Sequence, residues 1–168
     1  EYYRPAARLA LDLHRQLLSP VNLAWLTGLP YVETLDDLAF CHGVPPNYEA
    51  FEYLFALEQV GQLCDTYEQQ ARVTFVGHSH LCKSFRYNAT QGEEILRTRF
   101  RTDGDSKYII SAGSVGQPRD YDSRACCAIY DTADGHFEYL RLVYDIDGAA
   151  RRIAAANLSE TFGRRLFL

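Results

Sequence analysis

The sequence predicts an α/β fold, a sandwich of two mixed β-sheets flanked by helices. Its first half combines helical patterns with short apolar runs, and from residue 83 onward it consists of strand-like segments separated by turn signals. Helices with buried strands, followed by a run of strands, are typical of such layered folds. With 168 residues, 47% of them hydrophobic, the chain is long enough for one core, so one domain or a part of one is expected.

Two helices are expected at the start of the chain. Residues 3–18 place apolar side chains along one helical stripe. Ser19 and Pro20 end this helix and begin a second one over residues 21–28, because proline is tolerated in the first turn of a helix but not in its interior. The beginning of the chain is therefore predicted to be helical, with one break.

The middle of the chain combines two predicted strands with a longer helix. The run LAFC (residues 38–41) predicts a strand that ends at His42. Residues 48–70 carry apolar side chains at helical spacing and are expected to form a helix with a break at Gly61. The run VTFV (residues 73–76) predicts a strand that is covered on both faces, because it is apolar and rich in β-branched residues.

The second half of the chain is predicted to be mainly β-structure. Five short segments are rich in β-branched and aromatic residues and are bounded by glycine and aspartate turn signals: SFRYNA, EILRTRF, KYIISAG, CCAIYD and FEYLRLVY. A last helix is expected from Ile146 to about Asn157. No internal repeat or linker divides the sequence.

Histidine residues follow both of the apolar strands in the middle of the chain. Binding sites of open α/β sheets lie outside the carboxyl ends of strands, so the imidazoles of His42, His78 and His80 are expected to converge. If the segment containing His78 and His80 stays extended, both rings point to one side with Cα atoms roughly 6–7 Å apart. That spacing suits one shared metal ion, or two metal ions about 4 Å apart. The pattern predicts a metal site, whereas the isolated His14 and His136 are interpreted as ordinary hydrogen-bonded residues.

A glycine-rich loop is expected after the strand KYIISAG. In the stretch YIISAGSVGQPRD (residues 108–120), backbone amides could face an anion, with Arg119 near it. A plain turn after a strand explains the same residues, and for Arg119 this is the preferred interpretation.

Charge and cysteine content narrow the class of protein. A net charge of -5 argues against binding to nucleic-acid duplexes or to acidic lipid, and no apolar run reaches the length of a membrane span. An odd number of cysteines, five, fits a reducing compartment better than a disulfide framework, and Cys126 and Cys127 are expected to pack in the core. The protein is expected to be soluble and cytoplasmic.

Several motifs together resemble the calcineurin-like metallophosphoesterase family. FCHGVPP, the nearby Glu52-Tyr53-Leu54, VGHSH and SAGSVGQPRDYDSRACCAIYD occur in the order and spacing of the C-terminal part of that domain, as in its small bacterial phosphodiesterases. The resemblance covers nearly all 168 residues. It implies a dinuclear metal centre between two mixed sheets, in which His42 and His78 bind one metal and His80 binds the other.

The sequence departs from the family pattern in one important way. G-H-S-H replaces G-H-T-H, Val44 follows the His42-Gly43 pair and Ala112 replaces a common proline, but none of these changes removes a ligand. The upstream series of motifs D-x-H, G-D and G-N-H-D/E, which supplies the bridging aspartate and a general acid in the family, is absent as a series, and the sequence contains no G-N-H. Residues 1–168 are therefore expected to be the C-terminal portion of a single domain, inactive as an isolated polypeptide.

Charge balance leads to the same expectation. Three neutral imidazoles offset none of the charge of two divalent cations, so carboxylate ligands are also required. Asp120 and Asp122 are the nearest candidates in the sequence, although they follow a different strand and no motif assigns them.

The resemblance implies a metal-dependent phosphoesterase. Such an enzyme hydrolyses a phosphate ester of a small molecule or a nucleotide through a dinuclear centre and a metal-bound hydroxide, with two divalent ions of manganese, iron, zinc or nickel. In this chain no residue is assigned as nucleophile or general acid, and no residue is assigned to the substrate. Two alternatives are a non-catalytic scaffold on the same fold and a mononuclear zinc site formed by the three histidines alone.

Overall fold

A computed structural model describes residues 4–168 of the protein. In this range the chain forms five α-helices: α1 (Pro5–Leu17), α2 (Pro20–Thr27), α3 (Leu57–Asp65), α4 (Ile146–Ala155) and α5 (Glu160–Arg164). The same range forms nine strands: β1 (Val32–Leu35), β2 (Leu38–Cys41), β3 (Val73–Val76), β4 (Cys82–Tyr87), β5 (Gly92–Glu94), β6 (Arg99–Arg101), β7 (Lys107–Ala112), β8 (Ala125–Asp131) and β9 (His136–Leu142). Short 3-10 turns occur at Tyr48–Ala50, Tyr67–Gln69 and Arg165–Phe167.

The chain divides into two compact units. Residues 4–30 and 145–167 form the helical unit, and residues 31–144 form the sheet unit. None of the helices in the described range is long and apolar enough to cross a lipid bilayer.

The helical unit contains α1, α2, α4 and α5. Ser19 caps α2 by accepting a hydrogen bond from the Asn22 amide at 3.2 Å, and Pro20 fills the first turn. The Asp145 side chain caps α4 by accepting a hydrogen bond from the Gly148 amide at 2.7 Å. The predicted helices agree with α1, α2 and α4 to within two residues at each described end, and Tyr3, with which the first prediction began, lies outside the described residues.

The sheet unit is built around a six-stranded mixed sheet. Its strand order is β1-β2-β3-β7-β4-β5, in which β2, β3 and β7 are parallel and the remaining pairs are antiparallel. A second, antiparallel sheet has the order β6-β9-β8. The predicted α/β fold with a mixed sheet and a second sheet is confirmed, although the smaller sheet is antiparallel throughout.

Both faces of the six-stranded sheet are covered within the sheet unit. On one face, a cluster between the two sheets contains Leu38, Val73, Tyr108, Ile110 and Phe137. On the other face, Val60 and Leu63 of α3 pack in a second cluster with residues of β3, β4 and β7. Covered on both sides, β3 is a buried strand as its apolar sequence predicts.

The segment predicted as one helix over residues 48–70 is mostly irregular, so this prediction is wrong for its first half. The chain turns at Phe51, which has a positive φ of 50° and lies against Gly43, and then runs without regular secondary structure to α3. The Gln59 side-chain oxygen accepts a hydrogen bond from the Ala56 amide at 2.8 Å. This bond caps the start of α3 at Leu57. Gly61 lies inside α3 and breaks nothing.

Two other elements differ from the predictions. EILRTRF divides between β5 and β6, which belong to different sheets, and the exposed Leu96 lies in the crossing between them. The hairpin strand β1 was not predicted. Its short sequence, VETL, lacks a clear alternation of buried apolar and exposed polar residues, and the turn that follows it has Asp36 and not glycine in the left-handed region.

Candidate metal centre

Three loops begin at the same edge of the six-stranded sheet. The parallel register aligns Cys41 of β2 with Val76 of β3, and Val76 with Ser111 of β7. His42 and Gly77 therefore follow their strands side by side, and the loop that begins at Gly113 follows β7 close by. This is the edge at which ligands bind in open α/β sheets.

His42 and His78 face one another at this edge. The Nε2 atom of His42 lies 3.0 Å from the Nδ1 atom of His78, and the ring centroids are 4.9 Å apart. The Gly77 amide donates to the His42 carbonyl oxygen at 3.1 Å. A Cβ atom on Gly77 would lie only 3.1 Å from Nδ1 of His42. Glycine at this position therefore leaves room for the His42 ring to pack against the backbone.

His80 is oriented by the loop after β7. Its Nδ1 lies 2.7 Å from the carbonyl oxygen of Gln117. A carbonyl oxygen only accepts, so Nδ1 carries the proton and, in the neutral ring, Nε2 keeps its lone pair. The Arg119 amide donates back to the His80 carbonyl oxygen at 3.3 Å. A backbone carbonyl that fixes the far ring nitrogen is a common support for a metal-binding histidine.

The backbone of the histidine segment is a turn and not an extended strand. His78 and His80 both lie in the left-handed region, with φ of 63° and 61°. Between them Ser79 is fully buried, and its Oγ lies 2.9 Å from Oγ of Ser111 in β7. The expectation of an extended segment is therefore wrong, because the chain turns about the buried Ser79. Left-handed non-glycine residues are costly and cluster at functional sites.

The environment favours neutral imidazoles. Burial lowers the pKa of His78, and the nearby His42 and Arg119 lower it further. For His80, burial lowers the pKa, although its hydrogen bond to Gln117 acts in the opposite direction. Partial desolvation lowers the pKa of His42 as well, even though its side chain reaches solvent. Neutral rings carry the lone pair that a metal ion requires.

The geometry of the His42–His78 pair fits a shared cation. Two imidazole nitrogens bound at about 2.0–2.1 Å to one ion lie about 2.9–3.4 Å apart at octahedral or tetrahedral angles. The observed separation of 3.0 Å lies in that range, and it is also the length of a direct hydrogen bond between the two rings. The prediction that His42, His78 and His80 bind metal remains a prediction.

Carboxylate ligands are not found beside these histidines. Asp120 is paired with Arg141, and Asp122 binds Arg124 with Oδ2 2.6 Å from the guanidinium. In residues 4–168, no group of three or more His, Cys, Asp or Glu side chains is arranged to hold a metal. The alternative of a mononuclear three-histidine zinc site is thus not formed within that range.

An aromatic wall lines one side of the histidine pair. The Tyr53 ring lies 4.1 Å from the His78 ring between centroids, and Phe55 stacks on Tyr53 at 4.9 Å with an angle of 6°. Phe51 lies 5.8 Å from His42. The helical spacing of residues 48–70 predicts a helix here, although aromatic residues at every second position of FEYLF are a strand-like signal that identifies one exposed face.

Comparison with known proteins identifies the family. No family model matches the sequence. The chain is 34% identical over 173 residues to the uncharacterized protein MJ0912 of Methanocaldococcus jannaschii, and the match covers all of this chain and 68% of the relative. Its fold matches the crystal structure of a metallophosphoesterase from Sphaerobacter thermophilus with a TM-score of 0.81 and 26% identity, over 99% of this chain and 68% of the other. The chain belongs to the metallophosphoesterase family.

A more distant structure shares only the fold of this metallophosphoesterase. The hypothetical protein PH1004 from Pyrococcus horikoshii OT3 superposes with a TM-score of 0.60 at 17% identity, over 85% of this chain and 52% of that protein. The metallophosphoesterase chain thus spans about two thirds of the length of the two nearer relatives, and the resemblance carried by FCHGVPP and VGHSH is confirmed.

Proposed function

We propose that this metallophosphoesterase hydrolyses a phosphate ester with the help of two divalent metal ions, manganese, iron, zinc or nickel, held in part by His42, His78 and His80. The observation that carries the proposal is the pair of ring nitrogens of His42 and His78, 3.0 Å apart at the carboxyl ends of β2 and β3. When bound, such ions polarise phosphoryl oxygens and lower the pKa of water.

The histidines act in this proposal as ligands and not as proton donors. His80 presents Nε2 because its Nδ1 proton is engaged by the Gln117 carbonyl oxygen. The ring of His78 is held in place by the Tyr53 ring. Neutral imidazoles leave the cationic charge of the metal ions undiminished, so the ions retain their attraction for a phosphate group.

The proposed substrate is a phosphate ester of a small molecule or a nucleotide. The Tyr53 ring lies between His78 and Phe55, and Phe55, which is 47% exposed, presents its outer face to a flat group. Bases and other aromatic rings stack on such side chains. The net charge of -5 argues against a nucleic-acid duplex as the substrate.

The test measures turnover and metal content together. We expect the complete protein, which includes the upstream part of the domain, to hydrolyse para-nitrophenyl phosphate or its bis-ester when manganese is added. His78→Asn and His80→Asn keep a residue that tolerates the left-handed conformation, so the fold should persist while activity falls about 100-fold. His14→Gln, on the exposed side of α1, is the matched control and should retain full activity.

One observation favours the alternative of a non-catalytic scaffold. Asp120 and Asp122 are engaged by arginines, so the carboxylates nearest in sequence contribute no ligand. A protein that binds manganese stoichiometrically but turns over neither ester would support the scaffold. Equal turnover in wild type and His78→Asn would refute the proposed ligand role.

A further inference from the structure

Two thiols lie in contact between the two sheets of the sheet unit. Cys82 begins β4 of the six-stranded sheet, and Cys126 lies in β8 of the smaller sheet. Their Sγ atoms are 3.1 Å apart, and both residues are free cysteines. The Sγ atom of Cys126 also hydrogen-bonds to the Cys127 carbonyl oxygen, and the Sγ atoms of Cys41 and Cys64 have only backbone carbonyl partners, those of Phe75 and Val60.

The backbone around the pair is adapted to the two sulfurs. Gly113, with a φ of 81°, lies directly against them, and a Cβ atom at this position would be 2.8 Å from Sγ of both Cys82 and Cys126. Any side chain at Gly113 would push the sulfurs away. The pair therefore depends on glycine at this position for its close contact.

A cationic side chain accompanies the thiols. Nη2 of Arg141 donates to Sγ of Cys82 at 2.9 Å, and the guanidinium is held there by an ion pair with Asp120. Cys126 is only 2% exposed, whereas Cys82 is half-buried and offers the route for a small oxidant.

We propose that Cys82 and Cys126 form a site of reversible oxidation by small peroxides, in which the two residues close a disulfide that joins β4 to β8. In the first step the thiolate of one cysteine attacks a peroxide oxygen, the O–O bond breaks, and a sulfenic acid and water or an alcohol are formed. In the second step the other thiol attacks the sulfenic sulfur, the S–S bond forms and water leaves. The two sulfurs together lose two electrons to the peroxide, and a dithiol reductant reverses the change.

The site is connected to the histidine turn. Cys82 follows His80 by two residues, and the Cys126 amide donates to the Ser114 carbonyl oxygen at 2.8 Å. The hydroxyl of Ser114 accepts from the Gln117 amide at 2.9 Å, and Gln117 holds His80. The oxidation site itself does not rest on the proposed phosphoesterase activity.

The experiment treats the purified protein with a few equivalents of hydrogen peroxide and analyses it by intact mass and by non-reducing peptide mapping. We expect a mass loss of two hydrogens, a single linked peptide pair that contains Cys82 and Cys126, and recovery with dithiothreitol. The oxidised protein should also melt at a higher temperature, because the cross-link restricts the unfolded chain.

Matched variants make the result specific. Cys126→Ser should abolish both the mass loss and the thermal shift, whereas Cys127→Ser should retain them. Cys127 is adjacent in the same strand and its side chain points to the opposite face of the sheet. A linked pair that involves Cys127, or peroxide products confined to sulfinic acids in the wild-type protein, would overturn the proposal. These readings do not depend on turnover, so a failure here is distinct from a failure of the phosphoesterase proposal.

Discussion

Gly77 is the residue on which the position of the His42 ring depends. Its lack of a side chain lets Nδ1 of His42 approach, and its amide fixes the His42 carbonyl oxygen at 3.1 Å. Gly77 directly follows a buried strand and precedes a histidine, a position at which the missing side chain lets backbone and ring approach closely. The left-handed conformations of His78 and His80 were not predictable in the same way. They follow from the burial of Ser79 against Ser111, which is distant in sequence.

We expect Gly77→Ala to weaken manganese binding about 10-fold with little loss of fold, because the added methyl group displaces the His42 ring by a few tenths of an ångström. The measurement is isothermal titration of the variant with manganese. Gly61→Ala is the matched control, since nothing lies within 4 Å of the position that its Cβ would occupy in α3. The control should bind manganese normally and gain about 0.5–1 kcal/mol of stability. Unchanged manganese affinity in Gly77→Ala would contradict the role assigned to this glycine.

At the scale of elements, the irregular segment after the 3-10 turn at Tyr48–Ala50 supplies the aromatic wall. Phe51, Leu54 and Phe55 fit a helical period, but Phe51, Tyr53 and Phe55 also alternate as in a strand. Leu54 is fully buried in the core, while Tyr53 and Phe55 are exposed, so the second pattern describes the segment. Over only five residues, a single sequence does not distinguish the helical period from the strand period. The interaction that decides where α3 begins is the hydrogen bond from the Ala56 amide to the Gln59 side chain, which local sequence patterns do not reveal. The apolar strands β2, β3 and β7 were predictable because burial on both faces leaves an uninterrupted apolar run.

The aromatic wall gives a prediction about the substrate. In Phe55→Ala we expect the KM for para-nitrophenyl phosphate to rise about 5- to 20-fold, because loss of one stacking face removes about 1–2 kcal/mol. The KM for an aliphatic ester such as glycerol phosphate should change much less. Phe55→Tyr keeps the ring and is expected to behave like the wild type in steady-state kinetics with both esters. A parallel rise in KM for both esters in Phe55→Ala would show that Phe55 supports Tyr53 and His78 and does not bind the substrate.

At the scale of the whole molecule, strand order decides which loops meet. The alignment of β2 beside β3 and of β3 beside β7 brings together residues from three distant parts of the chain. Sequence patterns locate such strands but do not give their partners, because pairing depends on contacts across long loops. The order of the six-stranded sheet and the division of EILRTRF between two sheets were therefore beyond prediction from local signals. Membership of the metallophosphoesterase family, in contrast, was visible in FCHGVPP and VGHSH.

The two sheets of the sheet unit are joined by a polar contact that offers a test of their packing. The Tyr139 hydroxyl of β9 donates to the Ser111 carbonyl oxygen at 2.9 Å and lies 2.8 Å from Oγ of Ser84 in β4. Tyr139→Phe should lower the free energy of unfolding by about 1–3 kcal/mol, because Ser84 is buried and loses its partner. Urea denaturation measures this loss. Tyr130→Phe, whose hydroxyl contacts the Thr102 hydroxyl nearer to solvent, should cost less, and equal losses would contradict the structural role of Tyr139.

The parallel pairing of β2, β3 and β7 also determines when the histidines can meet. His42 and His78 are 36 residues apart in the chain, and the Gln117 carbonyl that orients His80 is a further 37 residues beyond it. Closing such long loops costs entropy before any contact repays it, which slows the folding of parallel sheets. During synthesis the two imidazoles can become neighbours only after β3 has emerged from the ribosome, and His80 acquires its orientation later still. A nascent chain would thus expose unpaired strand edges before it could retain a cation.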